Sequence, residues 1–264
     1  MTDEETTFTT RDAPKGTRFT EIRVFPVLDS TNRYVKDAAL QGEREGLVVI
    51  AEHQSAGRGR QGRMWDSKPG VALLLSVLLR PRDVTSAQRM TNAMALAVTD
   101  ACKIVGGFNT KVKWPNDVIV EHGDGYRKIA GVLAELVTEN DAVTGVVIGA
   151  GTNLNWAGGL PDALRTTATS ADDIAGHRID NDQFADSLLR ALHERLARPQ
   201  WLIQAYRERC ATLGQRVTVS IGEEVFSADA IDVDDDGALI VQTDDGDFRT
   251  ITAGEVTHLR PRSE

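Results

Sequence analysis

The chain has 264 residues, 41% hydrophobic and 26% charged, with a formal net charge of −9. That is length enough to bury a sizeable core, as one large domain plus a small one, and an ordinary globular composition. The longest apolar run, Val71 to Leu79, is too short to span a bilayer, and Met1 to Arg18 holds no apolar stretch of a secretory signal. Cys102 and Cys210 lack metal-type spacing, so a cytoplasmic protein with reduced thiols and no membrane contact is expected. From Gly214 onward four Lys/Arg face twelve Asp/Glu, a net of −8 of the −9. Such an acidic module repels a polyphosphate backbone, which argues against binding nucleic acid non-specifically.

The polar residues 1–18 are expected to be disordered. Ile22 to Val27 reads as a strand, and Ser30 as the N-cap of a helix through Leu40 with Val35, Ala38 and Ala39 on its buried face. Leu47 to Glu52 and Val71 to Leu79 are strand-like, and Thr85 to Val105 reads as a helix with Met90, Met94, Leu96, Ala97 and Ala101 toward the core. From Lys111 the pattern turns β-rich: Val118 to Glu121 and Lys128 to Glu139 flank a hairpin-like connection over His122 to Tyr126, and Asn140-Asp141 turns into Val143 to Ala150. Helical patterns return over Asn181 to Arg198 and Trp201 to Cys210. Short strands follow at Arg216 to Ile221, Glu224 to Val233, Ala238 to Gln242 and Asp247 to Ala253. The expected fold class is α+β: a mixed domain over 19–213 and a small β-barrel over 214–264.

Four segments carry chemistry. Gln54 to Trp65 places three arginines and three glycines between Gly57 and Arg63, with no acid among them. Glycines let backbone curl closely around a ligand, and guanidinium forks suit carboxylate and phosphate oxygens. Gly57, Gly59 and Gly62 satisfy the dinucleotide pattern G-x-G-x-x-G, but a strand rather than a helix follows them, and no Gly-Lys-Ser/Thr closes a P-loop. In Lys111 to Asp117, Asn116-Asp117 beside Lys113 reads either as an Asx-type turn or as a carboxylate for Mg²⁺ on a nucleotide. Lys128 opens an apolar strand, as a surface lysine or as a charge for a phosphoryl group. Gly149 to Asn155 offers close backbone approach and amide groups, or a glycine-rich turn.

Together, Asp29-Ser-Thr-Asn32, Gly57-Arg-Gly-Arg-Gln-Gly-Arg63, Lys113-Trp-Pro-Asn-Asp117, Lys128-Ile-Ala-Gly131 and Gly149-Ala-Gly-Thr-Asn153 resemble the biotin–protein ligase family, in its class without a DNA-binding domain. The resemblance runs from about Phe25 to the C-terminus. It implies a mixed-sheet catalytic domain of the class II synthetase-like, biotin–lipoate ligase fold, with an SH3-like C-terminal barrel. It implies biotin contacts from Ser30, Thr31, Asn32, Gln54, Gly57, Arg58, Lys128 and Gly131. ATP or adenylate contacts would come from Arg58, Gly59, Arg60, Arg63, Trp65, Asn116, Lys128 and Asn153, with Trp65 near the adenine. Arg58, Lys128 and Asp117 would be catalytic, and Asp117 a possible Mg²⁺ ligand.

The implied reaction is attack of the biotin carboxylate on the α-phosphorus of MgATP, then transfer of biotin to a carrier lysine. The expected partners are biotin carboxyl carrier domains of acyl-CoA carboxylases and pyruvate carboxylase, and not DNA, since too few residues precede Phe25 for a helix-turn-helix. A lipoate- or octanoate-transferring relative of the same fold is the alternative. The glycines of the arginine-rich loop predict disorder without ligand.

Overall fold

The computed structural model describes residues 7–81, 87–123, 125–252 and 254–258. Strands β1 (Thr9–Asp12) and β2 (Glu21–Leu28) pair antiparallel, and helix α1 (Thr31–Leu40) then crosses over to β3 (Leu47–Gln54), parallel to β2. Next come β4 (Ala72–Leu79), α2 (Ala87–Ala101), β5 (Lys111–Lys113), β6 (Asp117–His122), β7 (Gly125–Glu139) and β8 (Ala142–Asn153). These strands form an eight-stranded sheet in the order β1-β2-β3-β4-β8-β7-β6-β5, antiparallel apart from β2–β3. Beyond it lie α3 (Ala171–Ala175), α4 (Asn181–Ala197) and α5 (Leu202–Arg209).

The period of two along each strand splits the apolar residues between two cores. Leu47, Val49, Ala51, Leu78, Val137 and Val147 pack with Phe25, Val35 and Ala39 under α1. Their neighbours Val48, Ile50, Leu75, Val77, Val146 and Ile148 pack on the other face, with residues of α2, α4 and α5. Burial on both faces is why β4 is an unbroken apolar run.

The C-terminal strands β9 (Arg216–Ile221), β10 (Glu224–Val233), β11 (Leu239–Thr243), β12 (Phe248–Ile251) and β13 (Glu255–His258) form an antiparallel sheet ordered β12-β11-β10-β9-β13. It is the small barrel-type domain expected. Its inward residues Val217, Val219, Ala230 and Leu239 join the α2-side core.

Several expectations change. Disorder fails from residue 9 on: β1 is held by Arg11, whose Nη1 lies 2.7 Å from Asp186, and the Phe8 ring packs tilted against Phe25, centroids 5.0 Å apart. The start of the helix expected from Thr85 falls outside the described residues. Its α-helical part stops at Ala101, then widens into a π-helical turn (Cys102–Gly106) ended by Gly107 at φ 74°. Gly149 to Asn153 is not a turn but the second half of β8. β13 lies beyond the last strand expected.

Candidate active site

The α1 face of the sheet has two halves. One is apolar and covered by α1. On the other, the same strands carry Leu74 (β4), Gly149 and Gly151 (β8), and Gly131 and Leu133 (β7), which form the floor of a cavity of about 260 Å³ beside the helix N-terminus. The glycines are required by what lies on them. A Cβ at Gly149 would stand 2.1 Å from Asn32 Oδ1, and one at Gly151 2.5 Å from the Trp65 ring.

One end of the cavity is neutral and polar. Gln54 Oε1 accepts from the backbone N–H (2.7 Å) and hydroxyl (2.9 Å) of Thr31. The Ser76 hydroxyl, wholly buried, lies 2.7 Å from Thr31 Oγ1 and 2.6 Å from Asn32 Oδ1. Asn32 Nδ2 donates to Glu135 (2.8 Å) and the Leu133 carbonyl (3.2 Å). Because Asn32 Oδ1 can only accept, Ser76 donates to it, and the amide is held in one orientation. Ser30 caps α1 and also lines the cavity.

The other end is cationic, and a β-bulge builds it. Asp117 pairs with Gly131 and Val118 with Ala130, but Ile119 pairs with Lys128, leaving Ile129 as the extra residue. Without that residue Lys128 would face away; with it, Lys128 shares the face of Asp117 and Gly131. Its Nζ lies 2.6 Å from Asp117 Oδ1 and 5.5 Å from the centre of the Trp65 ring. Its backbone pairs outward with the next segment, through Thr167 O and Thr169 N at 2.8 and 2.9 Å. The expected hairpin closes at His122 and Gly125, so the longer connection leaves Lys128 in place.

Residues 57–65 form a folded-back clamp. Trp65 N–H donates to Gly57 O (3.0 Å) and Gly59 N–H to Arg63 O (2.7 Å), around a turn with Gln61 at φ 55°. A Cβ at Gly57 would meet the Trp65 carbonyl at 2.2 Å, so this glycine permits the closure. Arg60 donates to Asn116 Oδ1 (3.4 Å) and the Gly254 carbonyl (3.2 Å), and Arg63 pairs with Glu255. The loop is thereby tied to the C-terminal domain, whose residues 254–257 also line the cavity. Burial, above all, holds the Arg60 guanidinium below its ordinary range, with Asp117 opposing. Burial likewise lowers the Lys113 ammonium; Asp117 opposes that shift, and Lys128 and Arg63 add to it.

Ser30, Thr31, Asn32, Gln54, Arg58, Gly59, Arg60, Arg63, Trp65, Asn116, Asp117, Lys128 and Gly131 thus surround one cavity. Gly57 and Asn153 do not. Gly57 acts behind the loop. Asn153 lies past Trp65 in an adjoining pocket shared with Lys113, Asp117 and Lys128, where its amide bonds Thr169 O and Trp156 Nε1. Trp65 lies on the glycine floor as a partition between the two spaces, rather than along one edge. Ser76, Glu135 and the residues of β13 were not expected; a serine alone in an apolar strand is the one signal that pointed there.

Among the described residues no three His, Cys, Asp or Glu side chains converge as a metal site. The two carboxylates lining the cavity, Asp117 and Glu255, are already engaged, by Lys128 and Arg63. This donor set fits Mg²⁺ arriving on the phosphates of a nucleotide, not a resident ion.

The cavity thus joins a neutral hydrogen-bonding end to a cationic end, on a mixed sheet with a small barrel against the loop. The Biotin/lipoate A/B protein ligase family model matches residues 24–153, and the Biotin protein ligase C terminal domain model matches 212–259. The chain is 36% identical to the biotin–[acetyl-CoA-carboxylase] ligase of Mycobacterium tuberculosis, over 93% of this chain and 91% of that one. It is 31% identical to the bifunctional ligase/repressor BirA of Bacillus subtilis, over 83% and 69%. A biotin protein ligase from Aquifex aeolicus in complex with biotin and ATP shares the fold, at TM-score 0.77 and 24% identity over 91% and 99%. The chain belongs to the biotin/lipoate A/B protein ligase family.

Proposed function

We propose that this enzyme activates biotin with ATP as biotinyl-5′-AMP and transfers the biotinyl group to a lysine of a biotin carboxyl carrier domain. The observation that carries the reading is the two-ended cavity in a chain alike to a biotin–[acetyl-CoA-carboxylase] ligase over nearly its whole length. In this reading Thr31, Asn32 and Gln54 hold the uncharged ureido ring, which needs donors and acceptors but no charge. A biotin carboxylate oxygen forms the bond to the α-phosphorus while the bond to pyrophosphate breaks. Arg58 and Lys128 stabilise the charge that spreads over the phosphoryl oxygens. Mg²⁺ bound with the nucleotide supplies further charge neutralisation.

In the second step the carrier amine attacks the anhydride carbonyl and AMP leaves. Asp117, which positions Lys128, is our candidate to take the amine proton. The arginine loop with Trp65 keeps water from the adenylate. What supports these roles is convergence on one cavity; replacement of Arg58, Lys128 and Asp117 one at a time tests them.

The carriers we propose include pyruvate carboxylase as well as acetyl-CoA carboxylase, in the cytoplasm; among the described residues no helix is long and apolar enough to cross a membrane. We propose no DNA partner, on the strength of the acidic charge, and a domain boundary at 213/214, on that of the C-terminal family match. The test is incubation with ATP, Mg²⁺, biotin and a carrier domain, followed by intact mass. A biotinyl increment that vanishes without ATP is expected. Transfer of lipoate or octanoate instead would keep the fold and overturn the substrate.

A further inference from the structure

The cations of the cavity are not alike in what they touch. Asp117 engages Lys128, Glu255 engages Arg63, and Arg60 is spent on Asn116 and Gly254. Arg58 rides on the loop, and its side chain makes no hydrogen bond or ion pair among the described residues. Among the described residues Lys113 makes no ion pair or hydrogen bond, although it is half-buried and lines both the main cavity and the pocket beyond Trp65. A partly desolvated ammonium that must share the charge of Asp117 with Lys128 is costly, and an anionic ligand offsets that cost.

The sheet fixes where such a ligand would lie. Lys113 is opposite Asp117 in register, on the same face, and Asp117 is opposite Gly131. Crossing from β7 to β5 therefore takes two strand spacings, about 10 Å. In the ligase reading Lys128, whose ammonium reaches Asp117, lies where the acid's carboxylate meets the α-phosphorus. Lys113 stands two strands further out, on the side away from the neutral end. That is a position for the phosphates beyond the α-phosphate.

We infer that Lys113 binds the β- and γ-phosphates of ATP and stabilises pyrophosphate as the leaving group of the first half-reaction, and takes no part in the second. The step moves no proton: the carboxylate oxygen–phosphorus bond forms, the bridging phosphorus–oxygen bond breaks, and pyrophosphate leaves with the electron pair. The inference rests on the ligase reading.

The test separates the half-reactions in Lys113→Gln and Lys113→Arg proteins. Biotin-dependent exchange of labelled pyrophosphate into ATP reads the first; transfer from supplied biotinyl-5′-AMP to a carrier domain, without ATP, reads the second. Lys113→Gln is expected to raise the KM for ATP and for pyrophosphate about ten- to a hundredfold, the effect of losing one charged hydrogen bond. Lys113→Arg is expected to recover part of that loss, and transfer to stay within about twofold in both. An unchanged pyrophosphate KM, or an equal slowing of both half-reactions, overturns the assignment. If the unsubstituted protein shows no biotin-dependent exchange, the ligase reading falls, and this inference with it.

Discussion

Ser76 lies in the middle of an otherwise apolar strand with no exposed surface, where a hydroxyl is tolerated only if bonded. Its partners are Thr31 and Asn32, so its work is done through residues at the cavity. Ser76→Ala should leave Asn32 Oδ1 without its donor, costing about 1–3 kcal/mol of stability. It should also weaken biotin binding, with the KM for ATP unmoved; urea titration and calorimetry measure the two. Unchanged biotin affinity would remove Ser76 from the positioning network. Gly151 makes the opposite demand, for absence of a side chain. Gly151→Ala should push Trp65 off the floor at a cost of about 1–3 kcal/mol. Adenylate formation should fall with it, and tryptophan fluorescence should report the displacement; an unmoved spectrum with full activity would refute this.

At the scale of elements, the arginine loop is held by weak and separable contacts. Arg63 is 66% and Glu255 38% exposed, so their pair adds less than about 1 kcal/mol to global stability. Its effect should be local: Glu255→Gln should leave the melting temperature nearly unchanged while tryptic cleavage within residues 57–65 accelerates and bound adenylate is lost faster. Equal nicking in both proteins would count against a latch.

Elements also show what could be read in the sequence and what could not. Strands with apolar alternation or continuous apolar runs, such as β3, β4, β9 and β10, announce themselves because burial is local in pattern. β1 and β13 are short polar segments whose pairing is decided by distant strands, and no local pattern carries that. The cavity was legible as separate motifs because each holds glycines or charges against the expected grain. Which of them converge was not, since that depends on register, and Asn153 was separated from the rest by a tryptophan ring.

At the scale of the molecule, the small domain is welded to the large one. The buried Trp114 donates its indole N–H to Gly237 O (3.0 Å). The shared core also holds Cys102, whose thiol burial pushes from an ordinary 9.0 to about 12. A raised acid pKa in the fold contributes stability that is complete below pH 9 and lost as pH rises toward 12. Tyr206, also raised by burial, acts in the same direction. The urea midpoint should therefore decline above about pH 9, less steeply in Cys102→Ala; identical slopes would refute the contribution. The extra residue at Ile129 has a different kind of consequence. Lys128 lies between the tip of the β6–β7 hairpin and that extra residue, and the outward bridge to Thr167 and Thr169 anchors its backbone independently of the tip. The tip is thus a free appendix: residues can be gained or lost there over evolutionary time without the reaction centre registering the change.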